Sequence, residues 1–277
     1  MKLKVLDEPT RKRPFRTYEL RNLEELMRLV RLSQFQSFTT IFRGQREDRP
    51  LVPKVGRMQV VERPAVQMRP PGVVGSWYSR AVKDPLLWME KNMLEEFERK
   101  ALPLVTSFPS DRWEVLALAQ HYGLPTRLLD WTYNPYVAAW FAVGQPPSVS
   151  QKPGVIWIHV PDHSDFVSLR ERQRKSPLEV SRLAERPMVF EPRHVTPRIR
   201  AQDGLFTVQQ YNLRHRKFRP SDEVGSHRWC MTKALIPTKY FATMRDDLDT
   251  VGVNAGSLFP DLDGLARTIT DAYTIWS

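Results

Sequence analysis

The spacing of apolar residues predicts four helices in the first half of the chain. Asn22 and Glu25 form the pattern of a helix start, and apolar residues then recur every three to four positions. The third and fourth helices are apolar on almost every side, so we expect them to be buried. The predicted helices span residues 22–32, 84–101, 111–123 and 136–143.

Short runs of β-branched and aromatic residues predict strands, most of them later in the chain. These runs lie at 39–44, 127–132, 154–160 and 232–236, and residues 197–208 fit a strand, a turn and a second strand. Two further helices are expected near 238–249 and 260–273. The order of elements predicts a single α+β domain, with helices packed on a small mixed or antiparallel sheet.

Three segments do not follow this pattern. Residues 1–19 are predicted to form a loose basic N-terminal arm, which leaves residues 20–277 as the domain. Residues 45–83 lack a sustained period, and a loop of that length inside a domain is typically functional or a lid. Residues 209–230 are predicted to be a basic excursion from the sheet.

The composition is that of an ordinary globular protein, with 277 residues, 41% hydrophobic and 26% charged. Cys230 is the one cysteine, which excludes a disulfide framework and predicts an inert thiol. No apolar run approaches the roughly 20 residues of a membrane helix, and the first residues lack the apolar core of a signal peptide. We therefore expect a cytoplasmic protein without a membrane partner. The histidines show no metal-binding spacing, so no metal is predicted.

Charge changes this picture, because 42 Lys and Arg against 31 Asp and Glu give a formal net charge of +11. Such an excess favours polyanions, whether nucleic acid, a nucleotide cofactor or an acidic protein surface, although it can also serve solubility alone. The candidate nucleic-acid contacts are Arg214, Arg216, Lys217 and Arg219, which bracket Phe218. Runs of this kind are also common in solvated loops.

Two segments have a residue pattern that an ordinary globular sequence would not be expected to show. They are Phe42-Arg43-Gly44-Gln45 and the stretch 116–142, which contains Gln120-His121-Tyr122-Gly123. Together with 198–206 and 257–266 they closely resemble the FRG domain, a family named for its Phe/Tyr-Arg-Gly motif. The resemblance spans about residues 20–270.

The order of elements also resembles the ADP-ribosyltransferase fold, in which the sheet is split around an NAD cleft. That resemblance implies that Arg43 at a strand end anchors NAD, that the strand Asp130 to Thr132 lines the cofactor, and that Gln202 lies on a late strand. The family has a catalytic glutamate there, and glutamine lacks its charge. Asp130, Asp203 or Glu191 are the candidates to supply that charge.

The chemistry agrees with these residue types. An arginine binds a pyrophosphate through a bidentate fork, and a carboxylate stabilises the positive charge that develops when the nicotinamide–ribose bond breaks. The candidate catalytic residues are Arg43, His121 and Gln202, and the candidate NAD-binding residues are Arg43, Gly44, Tyr122, Arg127, Asp130, Trp131 and Thr132.

Each candidate also has a structural interpretation. Arg43 could pair with a buried carboxylate, and His121 could meet the dipole at a helix C-terminus. Arg127 and Asp130 would face opposite sides of a regular strand and pair separately, and Trp131 would be a core residue. Asp261 and Asp263 fit a helix cap better than a metal loop.

The two resemblances thus imply an NAD-dependent ADP-ribosyltransferase-like effector of the toxin or phage-defence type. It would modify a macromolecular target, with RNA and DNA as candidates, and a toxin of this kind would need an antitoxin or inhibitory partner. The alternative is a non-catalytic nucleic-acid-binding or interaction module on the same fold. A magnesium nuclease using Asp130, Asp261 and Asp263 ranks last, because these residues form no compact carboxylate motif.

Overall fold

The computed structural model describes residues 3–9, 15–32, 35, 37, 39–59, 84–105, 107–147, 152–179, 187–193, 196–223 and 231–274. Within them the chain has an α+β fold, as the sequence predicts, in which helices pack on a mixed sheet of eight strands.

The strands are β1 Lys4–Asp7, β2 Arg16–Glu19, β3 Ile41–Gln45, β4 Leu128–Thr132, β5 Gly154–His159, β6 Met188–Phe190, β7 Gly204–Val208, β8 Tyr211–Asn212, β9 Lys217–Phe218 and β10 Met231–Ile236. The helices whose two ends are described are α1 Leu23–Val30, α2 Pro85–Ala101, α3 Arg112–His121, α4 Pro135–Val143, α5 Leu169–Arg174, α6 Pro197–Ala201, α7 Phe241–Thr250, α8 Ala255–Leu258 and α9 Leu262–Ala272.

The large sheet has the strand order β1-β2-β10-β5-β3-β4-β7-β6, and β8 pairs with β9 in a separate hairpin. The β2–β10 pair is parallel, and the other neighbours run antiparallel. β3 and β4 are joined at the single pair Phe42–Thr132, whereas β3 and β5 pair along five residues. The expected split sheet is therefore a continuous sheet, larger than predicted, with its narrowest junction between β3 and β4.

Helices cover one face of the sheet, where α1, α4, α7 and α8 pack around Phe42, Ile156 and Ile158. Trp131 and Trp157 belong to a second buried cluster, which includes Ile41 of the same strand as Phe42. Since successive residues of a strand point to opposite faces, this second cluster fills the other side. The close approach of β3 to α4 requires glycine, because a Cβ on Gly44 would lie 1.9 Å from the carbonyl oxygen of Ala138.

The N-terminal segment differs from its prediction as a loose arm. β2 pairs with β10 along residues 16–19, and Tyr18 and Leu20 are buried in the core. β1 extends the sheet beyond β2, with all four of its residues exposed. The sequence does not predict these strands, because they are short and basic residues surround their few apolar residues. Pairing with β10 is what buries Tyr18.

Residues 197–208 also differ, since the predicted first strand is the helix α6. Thr196 caps this helix by accepting a hydrogen bond from the Ile199 backbone N–H, and Pro197 occupies its first turn. Gln202 follows at the C-terminal end of α6, and the second predicted strand is β7. Charged and apolar residues alternate along α6, but the Thr-Pro start signal decides the conformation.

The two long irregular segments are described in part. Residues 45–59 contain a 3-10 turn at Val55–Arg57, and residues 60–83 lie outside the described ranges. The predicted basic excursion contains the β8–β9 hairpin and a 3-10 turn at Ser221–Glu223, while 224–230, with Cys230, is not described. Within the described ranges, no helix has the length and apolar character needed to cross a membrane.

Candidate functional site

A cleft of about 680 Å³ lies where β3 and β4 meet at their single pair. It is bounded by β3, β4, β7, the C-terminal end of α3, and α6. Of the nine residues predicted for catalysis or NAD binding, eight line it: Arg43, Gly44, His121, Tyr122, Asp130, Trp131, Thr132 and Gln202. The structure thus brings together side chains that are far apart in the sequence.

Arg43 lies at the junction of the two strands. Its Nη1 donates to the backbone carbonyl oxygen of Asp130 at 2.5 Å and lies 3.6 Å from Asp130 Oδ2. Burial lowers the pKa of Arg43, the Asp130 charge opposes this change, and neighbouring Arg57 adds to it. Arg43 Nε is buried and makes no hydrogen bond with the described residues, so it has a donor to offer a ligand.

The Asp130 carboxylate is held at the cleft by a second contact. Gln120 Nε2 donates to Asp130 Oδ1 and Oδ2 at 3.2 and 3.3 Å, and the Thr126 hydroxyl donates to Gln120 Oε1 at 2.6 Å. The Asp130 side chain remains 64% exposed. Asp203 and Glu191 do not line the cleft, and Glu191 accepts a hydrogen bond from the Tyr133 hydroxyl. Asp130 is therefore the proposed acidic candidate that reaches this space.

Two cations of the cleft were missed from the sequence. Lys54 Nζ donates to the carbonyl oxygen of Gly123 at 2.9 Å, and the Arg198 guanidinium stacks 4.1 Å from the ring centre of Phe259. No described carboxylate lies within ion-pair distance of Arg198. Lys54 falls in the segment predicted as a loop and Arg198 in one predicted as a strand. The signal for Arg198 was its place in the motif 198–206.

His121 and Tyr122 end α3 beside the cleft. Their rings contact edge to face at 5.0 Å, and Tyr122 is 64% exposed. Burial lowers the pKa of His121 and the positive charge of Arg198 lowers it further, against the smaller opposing effects of Asp261 and Asp130. The imidazole is therefore neutral at pH 7 and able to accept a proton.

Gln202 connects the elements around the cleft. Its side-chain Nε2 donates to the carbonyl oxygen of Leu258 at 3.2 Å, and its backbone carbonyl oxygen accepts from the Thr132 hydroxyl at 2.7 Å. Since Gln202 ends α6, the prediction that it lies on a strand is wrong. Trp131 is buried, and its indole N–H donates to Thr207 Oγ1 at 2.9 Å, which matches the core interpretation.

Arg127 is the predicted binding residue that the cleft does not include. It is 1% exposed and forms a bidentate ion pair with Glu90 of α2, in which Nε donates to Oε1 at 2.9 Å. Its Nη1 also donates to the carbonyl oxygen of Leu178 at 3.2 Å. These contacts agree with the structural alternative, an ion pair away from Asp130.

The acidic pair Asp261 and Asp263 and the predicted nucleic-acid contacts do not form part of the cleft's candidate NAD site. Asp261 caps α9 by accepting from the Gly264 backbone N–H at 2.9 Å. In the part of the chain that the structure describes, no three His, Cys, Asp or Glu side chains are grouped closely enough to hold a metal ion. The four predicted nucleic-acid contacts lie on and beside the β8–β9 hairpin and do not line the cleft.

Residues 39–151 match the family model described as FRG domain. This chain contains an FRG domain. The matched segment holds β3, α3, β4 and α4, and hence Arg43, His121 and Asp130, whereas α6 and β7 lie beyond it. A search of curated proteins and of solved structures gave no match. The resemblance to the ADP-ribosyltransferase fold is not confirmed by these comparisons.

Proposed function

We propose that the FRG domain binds NAD in this cleft and transfers ADP-ribose to a macromolecular target, as an effector of the toxin or phage-defence type. The observation that supports this most strongly is the set of cations, Arg43, Lys54 and Arg198, around a cleft of about 680 Å³. The volume falls within the range of small-molecule sites, roughly 300–1,000 Å³. An inhibitory partner would restrain such an activity in the cell that makes it.

The residues present suit a diphosphate. Arginine offers planar N–H donors that match phosphate oxygens, and Arg43 Nε has no described partner. Arg198 has no described carboxylate at ion-pair distance, and its stacking on Phe259 leaves the edge of the guanidinium available. Lys54 adds a third positive charge, although its Nζ also donates to Gly123.

Bound NAD would supply the ADP-ribosyl group and nicotinamide as the leaving group, which takes the electron pair of the broken C–N bond. Positive charge then develops at the anomeric carbon, as in glycoside hydrolysis. The Asp130 carboxylate, positioned by Gln120 and Arg43, supplies the negative charge that Gln202 cannot. Gln202 acts as a positioning residue that joins α6 to β4 and α8.

His121 would take the remaining proton. The acceptor atom of the target forms the new bond to the anomeric carbon with its lone pair and must lose a proton. Because burial and Arg198 hold the pKa of His121 below its usual value, the neutral imidazole is ready to accept that proton. Atoms and charges balance without another reactant.

One observation favours the alternative, a non-catalytic nucleic-acid-binding or interaction module. The Gln202 amide is engaged by the Leu258 carbonyl, and Arg43 by Asp130, so both could serve to hold the fold. In that case the cations of the cleft would contact a polyanion without chemistry.

The test is incubation of the purified protein with adenine-labelled NAD and separate RNA, DNA and protein pools. We expect label transfer with release of nicotinamide, lowered roughly 100-fold or more in Asp130→Asn at little change in NAD affinity. Arg43→Ala should weaken NAD binding itself. Gln202→Ala should lower both the label transfer and the NAD affinity, each by less than the Asp130 and Arg43 variants do. Asp246→Asn, an exposed carboxylate on α7, is the matched control and should retain full activity.

Two results would decide against the enzyme. Absence of nicotinamide release and of label transfer with every pool would reject it. Binding of NAD without turnover would instead favour the non-catalytic module. Equal activity of Asp130→Asn and Asp246→Asn would remove Asp130 from the chemistry.

A further inference from the structure

The β8–β9 hairpin presents a concentrated positive charge. Arg214, Arg216 and Lys217 are exposed at its turn, and none of them forms an ion pair with a described residue. Asn212 Oδ1 accepts from the backbone N–H groups of Arg214 and His215, both at 3.0 Å. These two hydrogen bonds stabilise the backbone of the turn, and its three cations are exposed to solvent.

The base of the hairpin is fixed to the body of the protein. Tyr211 and Phe218 are buried, with their rings 5.3 Å apart, and they pack in a cluster with Val55 and with Leu86 and Leu87 of α2. The exposed, charged turn is thus anchored at its base by buried contacts.

Residues 54–57 connect this hairpin to the cleft. Gly56 packs on the hairpin so closely that an added Cβ would lie 3.0 Å from Phe218 Cδ2. Two residues before Gly56, Lys54 lines the cleft. Its Nζ donates to the carbonyl oxygen of Gly123, the residue that follows the exposed Tyr122. Arg57 lies close enough to Arg43 to lower the pKa of that residue. Lys54 and Arg57 are therefore two cations that flank the contact with the base of the hairpin and lie at or near the cleft.

We propose that the hairpin, residues 211–218, docks a single-stranded nucleic acid whose phosphates contact Arg214, Arg216 and Lys217 and one of whose bases stacks on Tyr122. Arginine forks suit phosphate oxygens, and an exposed aromatic ring stacks any unpaired base. A base inside a duplex could reach neither Tyr122 nor the cleft without being flipped out. The net charge of +11 fits a polyanion of this kind.

This inference names the target class for the proposed function, but docking itself does not require NAD turnover. It is therefore tested by binding alone, without NAD. The probes are a fluorescent single strand of about 20 nucleotides, longer than most single-strand sites, as RNA and as DNA, and the matching duplex.

The variant R214Q/R216Q/K217Q removes the three charges of the turn. Its matched control is R170Q/R174Q/K175Q, which removes two exposed arginines and one exposed lysine on and after α5. We expect the hairpin variant to bind the single strand at least about tenfold more weakly, with a salt slope smaller by about 2, since each single-strand phosphate contact contributes roughly 0.7. The control should change the affinity less than about twofold.

Tyr122→Ala should weaken binding several-fold, and Tyr122→Phe, which keeps the ring, should not. Equal weakening by the two triple variants would overturn the proposal, because net charge alone would then explain binding. Duplex binding as tight as single-strand binding would overturn it as well, as would equally effective competition by poly-glutamate, which would indicate an acidic protein surface. If docking behaves as expected and NAD is not turned over, the proposed enzyme fails while this surface stands.

Discussion

His121 lies in the last turn of α3, where the negative end of the helix dipole would favour the charged imidazolium. Burial acts in the other direction and lowers its pKa, and Arg198 adds to the effect. Arg198 was not among the residues predicted from the sequence. The protonation state of a candidate base therefore depends first on its burial and then on a residue that is 77 positions away in the chain.

The pKa of His121 can be shifted in two directions by its neighbours. Arg198→Gln removes a positive charge and should raise the pKa, while Asp261→Asn removes a negative charge, keeps a side chain able to cap α9, and should lower it. Histidine titration by NMR measures both. An unchanged pKa of His121 in Arg198→Gln would show that the charges of Arg198 and protonated His121 do not interact.

The same shift contributes to the pH dependence of stability. The folded pKa lies below the unfolded value of about 6.5, so the unfolded chain binds the proton more readily. The contribution of neutral His121 is therefore complete above about pH 6.5 and is lost as the pH falls through that value towards the folded pKa. Denaturation of His121→Gln across this range should show a correspondingly weaker decline.

At the scale of elements, Glu90 and Arg127 join α2 to the residue that precedes β4. Both side chains are almost completely buried, at 2% and 1% exposure, and they are paired by two hydrogen bonds between the side chains. Glu90 also accepts from the Arg127 backbone N–H at 3.1 Å. Removal of one partner from such a pair leaves a buried charge without compensation.

Glu90→Gln should therefore lower the free energy of unfolding by about 3–5 kcal/mol. Glu24→Gln is the control, because Glu24 and Arg28 form an exposed pair on α1 that contributes about 0.5 kcal/mol or less. Urea denaturation compares the two. A loss below about 1 kcal/mol in Glu90→Gln, or a large specific loss of NAD affinity in its folded form, would contradict a structural role.

The elements also show where sequence patterns suffice. α1 to α4 carry start signals and apolar residues over two or more turns, on one face in α1 and on almost every side in α3 and α4. The structure has these helices within a few residues of their predicted ends. α6 has five residues, too few to show a 3.6-residue period, and the alternation of Arg and apolar residues along it predicts a strand instead. Short elements take their conformation from caps and tertiary contacts.

At the scale of the whole molecule, the N-terminal segment completes one side of the sheet. β2 lies between β1 and β10, and Phe15, Thr17 and Tyr18 are buried. Burial of Phe15 and Tyr18 contributes roughly 1.5–3 kcal/mol each. Without β2, the edge of β10 would also be open to pairing with other chains.

Deletion of residues 1–19 should therefore destabilise the protein by several kcal/mol and promote aggregation. Deletion of residues 1–8, which removes the exposed strand β1, should cost much less. Chemical denaturation and light scattering of the two truncated proteins check this. A 20–277 protein as stable as the full chain would restore the prediction of a loose arm.

The sequence by itself determined the α+β class and the longer helices and strands, because these depend on local patterns. The candidate residues Arg43, His121 and Asp130 came from its resemblance to known families. Tertiary structure alone placed Lys54 and Arg198 in the cleft and excluded Arg127, which looked equally suited to bind phosphate. The reason is physical: which arginine meets a carboxylate in the core and which meets solvent depends on pairing between distant segments. The same pairing brought the basic hairpin into contact with residues 54–57, beside the cleft.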